Sequence, residues 1–203
     1  GDKAVGFYGS AYTLFEVIIS LLPFVIMSAS FPVLAEKHKS DMEGMKNLYN
    51  LLLKYHLFLG IPIGVGMLIL GHEIVIALYG TAYEPAGVLL SSLGVAVWIF
   101  FLTTLVSWTL TAMDKQNIVL KSNAIAMVLN ILTNLFAIPA YGALGAAITT
   151  SACELFQLVY MYWHLHKNLA VSYHICILRI AIGALIMTGF ILIVKSHVLP
   201  WHP

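Results

Sequence analysis

Six long apolar segments separated by short polar connections constrain this chain more than any other feature of its sequence. They run over 5–34, 50–79, 85–112, 117–138, 142–165 and 175–194. A helix needs roughly 20 apolar residues to cross the hydrocarbon core of a bilayer. Within that core every backbone N–H and C=O must be paired inside the protein, which leaves helices and closed barrels. The alternating segments of about ten residues that build a barrel do not occur in this sequence. The expected fold class is all-α, a polytopic membrane protein of about six transmembrane helices. Composition agrees, since 61% of the 203 residues are hydrophobic and 9% charged, against about 45–50% and 25% in soluble domains.

The same composition narrows function. No block of like charge could track a phosphate backbone, so nucleic acid is not an expected partner. Cys153 and Cys176 have no spacing that suggests a disulfide framework or a metal site. His164 and His166, two apart, point in different directions on a helix. No glycine-rich phosphate loop or helical metal-ligand pair is present, so no cofactor, metal or catalytic constellation is expected.

Positive charge sets the topology. If six spans alternate, Lys37, Lys39, Lys46, Lys54, Lys115, Lys121, Lys167 and Arg179 fall on one side and Lys3 and Lys195 on the other. The positive-inside rule then makes the charged connections 35–48, 113–117 and 166–174 cytoplasmic. Both ends of the chain lie outside. With Gly1 in place of an initiator methionine, residues 1–203 are expected to be a transmembrane domain from the later part of a larger transporter, preceded by an odd number of spans.

Polar residues at membrane depth are the functional candidates. Glu16 shares a helix face with Tyr12, Ser20 and Pro23; it either holds helices together or serves a cavity or ion-coupling role. Asn123, Met127, Asn130 and Asn134 form one stripe, and Thr150, Glu154, Gln157 and Met161 another. A third span carries Thr104, Ser107 and Thr111 on one stripe. Asparagines in spans bond across helices or bind ligand, and both readings stay open for Asn130 and Asn134. Arg179 is the one cation at some depth. Pro23 predicts a kink, and Pro62 with Gly60, Gly64 and Gly66 predicts a hinge. Between the first two spans, Ser40 and Glu43 fit a capping box that would start an amphipathic helix along the interface.

The stretch from Phe136 to Ala152 reads as a turn between two spans. Pro139 is expected to end the first. Gly142 and Gly145 then permit a tight return, and Gly142, Ala146, Thr150 with Gly145, Thr149, Cys153 leave a helix face of little bulk that another helix can approach.

Taken in order, Ala4-Val-Gly-Phe-Tyr8 with Ala11-Tyr12, Leu22-Pro23, Phe31-Pro32, Tyr83 with Leu89, and Ile138-Pro-Ala-Tyr-Gly-Ala-Leu-Gly-Ala-Ala147 resemble the membrane polysaccharide flippases. These are the oligosaccharide-exporting branch of the superfamily that also holds the multidrug and toxic-compound extruders. Asp114-Lys115 departs from the glycine and basic residue usual at that turn. The resemblance implies one half-bundle of a flippase-like transporter in the cytoplasmic membrane, which moves a lipid-linked oligosaccharide by alternating access while the lipid tail stays among membrane lipids. It also implies a cationic pyrophosphate site supplied largely from outside this chain. Two other readings stand beside it. One is a cation-coupled extruder of small organic molecules that uses Glu16 and Glu154. The other is a non-transporting scaffold that recruits glycosyltransferases or other polysaccharide-assembly enzymes through residues 36–54.

Overall fold

The computed structural model describes residues 2–169, 183, 185, 187–193 and 195. Its elements are α1 (Asp2–Ser40), α2 (Met42–Tyr79), a 3-10 turn at Thr81–Tyr83, α3 (Glu84–Ala112) and α4 (Gln116–His166). All four α-helices are long and apolar enough to cross a membrane. Most of the expected sixth span, Arg179 included, lies outside the described residues, although 187–193 and Lys195 are helical.

One helix conceals two crossings. A straight helix of the 51 residues of α4 would be roughly 77 Å long at 1.5 Å per residue, more than twice the hydrocarbon thickness of about 30 Å. At Gly142 the backbone turns to φ 59° and ψ −138°, a region that residues with a side chain rarely enter. The chain folds back there. Thr149 bonds to Asn134, fifteen positions earlier, and a Cβ on Gly145 would collide with the carbonyl oxygen of Ala137. The arms 116–141 and 143–166 therefore lie side by side. Pro139 does not end the first arm, as its sequence suggested, because helix continues through it to Gly142. Proline lacks only its own N–H, whereas Gly142 supplies the dihedral angles that reverse the chain.

The turn between α1 and α2 is one residue long. Asp41 Oδ1 accepts the Gly44 N–H at 2.8 Å and Oδ2 accepts from Lys37 Nζ at 3.2 Å. The capping box expected at Ser40 is displaced, since the Ser40 hydroxyl bonds to Glu36 O inside α1 at 3.0 Å. The polar stretch is thus not a separate interfacial helix. It forms the end of α1 and the start of α2, whose 38 residues reach about 57 Å and must project beyond the hydrocarbon.

Helix α3 is the most buried of the four and packs against α1, α2 and α4. Its approach to α2 depends on missing side chains. A Cβ on Gly64 would stand 2.7 Å from the Gly94 carbonyl oxygen, and one on Gly71 2.5 Å from the Ser91 hydroxyl. Such small residues bring backbones close and multiply dispersion contacts where lipid provides no hydrophobic drive. Pro23 and Pro62 lie within unbroken helices.

Two apolar clusters stack along the bundle. One joins Leu34, Met45, Leu110, Met113 and Leu165, which places the ends bearing Lys37, Lys39, Lys46, Lys115 and Lys167 together. The other joins Ala11, Phe15, Val75, Ala86 and Ala147 at the opposite end. There Lys195 Nζ pairs with Glu73 at 2.6 Å and donates to Ile69 O at 3.1 Å.

Gly64→Val should lower thermal stability by about 1–3 kcal/mol through overpacking. Gly66→Ala, with nothing near its Cβ position, should leave unfolding in detergent unchanged or slightly later. The Gly44 N–H, and then Lys37, hold the Asp41 carboxyl below its ordinary value of 3.8. Its contribution is therefore complete above that value and lost as pH falls through the lowered one. The stability difference between wild type and Asp41→Asn should vanish on acidification, measured by thermal unfolding across pH.

Candidate functional site: a polar cavity beside the hairpin

The hairpin carries its polar side chains to one place. The two arms run antiparallel, so the asparagine stripe of the first arm faces residues near Thr149 and Glu154 of the second. A cavity of about 340 Å³ opens there, lined by Asn123, Asn130, Thr150, Cys153, Glu154 and Gln157, with Tyr12 of α1 and Phe100 of α3.

A short relay fixes its wall. The Thr149 hydroxyl lies 2.5 Å from Asn134 Oδ1 and 3.0 Å from Ala146 O. With its oxygen so engaged, Asn134 donates through Nδ2 to Asn130 Oδ1 at 2.9 Å. Asn130 then keeps its own amide hydrogens for the cavity. Asn134 is not a lining residue; it orients one. Glu154 is 9% exposed, and its carboxyl interacts with the Thr103 hydroxyl of α3. Thr103 also bonds to Ile99 O at 3.0 Å.

Of the residues singled out from sequence, Asn130 and Glu154 line this cavity and Asn134 supports it. Glu16 does not line it. That residue is exposed on α1, one turn beyond Tyr12. Gly64 serves the close α2–α3 contact.

Three polar residues escaped the sequence reading. Thr103 is 7% exposed, whereas the stripe inferred for α3 began at neighbouring Thr104, which is half-buried. The spacing of Thr103 and Ser107 by one helical turn was the available signal. Thr109 is buried with its hydroxyl on Leu105 O at 2.7 Å. His56 is fully buried, with Nδ1 2.8 Å from Leu52 O and its ring edge-on to Phe101 at 6.2 Å. A lone histidine in an apolar run carries no such signal. At the lysine-bearing end, Lys167 Nζ sits 3.3 Å above the Trp163 ring, an arrangement suited to the membrane interface.

Among the described residues, no cluster of histidine, cysteine and carboxylate side chains could hold a metal ion. The cavity offers carboxamides, hydroxyls, one carboxyl and two aromatic rings. That set can bind and orient a polar solute.

Comparison with known proteins agrees on a family. A family profile described as "Lipid II flippase MurJ" matches residues 3–203. The chain is 31% identical to a "Probable flippase AglR" of Haloferax volcanii over 72% of this chain and 31% of that protein. It is 24% identical to a "Probable lipid II flippase MurJ" of Vibrio cholerae over 88% of this chain and 36% of that protein. The chain therefore spans about a third of the length of these relatives. A solved structure, "Lipid II flippase MurJ, inward closed conformation", superposes with a TM-score of 0.81 at 18% identity, covering 95% of this chain and 41% of that one.

Thr103→Val keeps the volume and removes the hydroxyl beside Glu154. It should cost about 0.6–1.7 kcal/mol, the range of measured hydrogen-bond couplings between membrane helices. Thr104→Val should cost less, and thermal unfolding of the two variants checks the order.

Proposed function

The chain belongs to the lipid II flippase MurJ family, and on that premise we propose that residues 1–203 are the later half-bundle of a transporter that flips a lipid-linked oligosaccharide across the cytoplasmic membrane. The observation that carries this reading is the polar cavity midway along the hairpin arms, walled by Asn130, Glu154 and Gln157 and backed by Asn134. Polar groups at that depth are costly unless they meet protein, water or solute, and three helices contribute side chains to this one. The reaction is transport without covalent chemistry. The polar headgroup passes through the cavity while the lipid tail stays in the bilayer, and the half-bundle rocks against a second one to alternate access.

Sidedness follows from charge. The end that carries Lys37, Lys39, Lys46, Lys115 and Lys167, with its connections 35–48, 113–117 and 166–174, faces the cytoplasm. The Gly142 turn faces outward. Glu154 and the exposed Glu16 are both candidates for a cavity or ion-coupling role. Pro23, Pro62 and Gly64 are the candidate points of flexing. Arg179 is a candidate contact for the substrate's phosphates.

The test is a flipping assay with the longer protein that contains these residues, reconstituted in vesicles with a fluorescent lipid-linked oligosaccharide. Wild type should move the substrate. Glu154→Gln and Asn130→Leu should each slow movement about tenfold or more, equivalent to about 1.4 kcal/mol of barrier, while the folded yield is kept. Absence of movement by wild type with every sugar tried would overturn the reading. Unchanged rates in both variants would remove the cavity from the path.

A further inference from the structure

At the outer end of the bundle, away from the cavity, one polar contact ties the last described helix to α2. Lys195 Nζ lies 2.6 Å from Glu73 Oε1 and donates to Ile69 O at 3.1 Å. Ile69 and Glu73 stand four residues apart, so the carbonyl and the carboxylate that receive the ammonium belong to one face of α2. Lys195 itself comes from 126 positions further along the chain than Ile69.

The contact has no substitute nearby. Glu73 Oε2 is buried without a hydrogen-bond partner, and among the described residues Lys195 is the only cation within ion-pair distance of this carboxylate. His72, the neighbouring residue, turns instead to Glu84 at the start of α3, with Nε2 3.8 Å from Oε1. Parting Lys195 from Glu73 would leave a partly buried charge uncompensated, which costs far more than the pair itself contributes.

The turn of α2 that receives Lys195 is also held in register. A Cβ on Gly94 would stand 2.7 Å from Leu68 N, one on Gly71 2.5 Å from the Ser91 hydroxyl, and one on Gly87 2.6 Å from His72 Cα. These contacts bracket Ile69 and Glu73 on both sides. Sliding α2 along α3 by a single residue would drive side chains into those spaces, and packed interfaces of this kind do not deform continuously.

We infer that Glu73 and Lys195 form a fixed clasp, which keeps the last described helix on the outer part of α2 throughout transport, so that the outer ends of these helices and α3 move as one block. Bending of α2 is left to the cytoplasmic side of that block, where Pro62 lies. The motion rests on the flippase reading above; the clasp itself does not.

A covalent bridge tests it in the longer protein that contains these residues, with wild type treated alike to control for native thiols. Glu73→Cys with Lys195→Cys removes the pair, and should slow flipping about tenfold and speed deuterium exchange in residues 187–193 about fivefold or more. Joining the two thiols with a short bismaleimide should bring both back toward wild type. Bridged protein that no longer flips, while the unbridged variant still does, would mean that the contact must open, and overturns the inference. Equal rates and equal exchange in wild type, unbridged and bridged protein would show the pair to be idle, and overturn it too. Should the double variant fail to fold, Glu73→Gln keeps an acceptor for Lys195 and removes the charge; exchange in 187–193 should then rise about threefold, and unchanged exchange contradicts the clasp. If wild type moves no substrate, the flippase reading falls, and the exchange measurements alone decide whether the clasp stands.

Discussion

The hydrogen bond from Thr149 to Asn134 closes the hairpin on which the candidate site depends. It spans fifteen residues, and it can form only because Gly142 reverses the chain and Gly145 lets the second arm reach the backbone of the first. Without that reversal, α4 would be one rod too long for a bilayer, and Asn130 and Glu154 would lie at different depths. With it, two polar stripes from separate arms meet across a cavity, and one amide is fixed so that its neighbour donates inward. A turn of backbone geometry thereby becomes a distribution of donors and acceptors.

The rest of the bundle follows from the bilayer as solvent. Apolar side chains gain little from burial when lipid is the alternative, so close backbone approach at Gly64, Gly71 and Gly94 holds α2 against α3. Polar groups at depth must find partners, and the hydroxyls of Thr103, Thr109 and Thr149 do so on backbone carbonyls or side-chain acceptors. Charge collects at the ends. Lysines gather at one of them, while at the other Glu73 is paired with Lys195.

Much of this was legible in the sequence, because the bilayer permits so few solutions. The all-helical class, the turn near residue 142 and the helical stripes that carry Asn130 and Glu154 could be read from hydropathy and helical spacing. What escaped was decided by single backbone or tertiary details. Pro139 seemed the stronger breaker, yet a helix accommodates a proline more readily than a residue at φ 59°. Ser40 with Glu43 matched a capping pattern, but Asp41 brings a carboxylate to the Gly44 N–H and also meets Lys37. Thr103 and Thr104 are adjacent in sequence, and only the position of the second hairpin arm decides which meets Glu154. Gly64 in the second span suggested a hinge, and only the position of Gly94 on α3 reveals that it is also a point of close backbone approach.

The central claim is that the Thr149–Asn134 contact sets the geometry of the cavity wall. A double-mutant cycle with Asn134→Ala and Thr149→Val, read by equilibrium unfolding, tests it most directly. Coupling of about 0.6–1.7 kcal/mol is expected, in the range measured for side-chain hydrogen bonds between membrane helices. Losses that simply add would contradict it, and would mean that the two arms are held together without that bond.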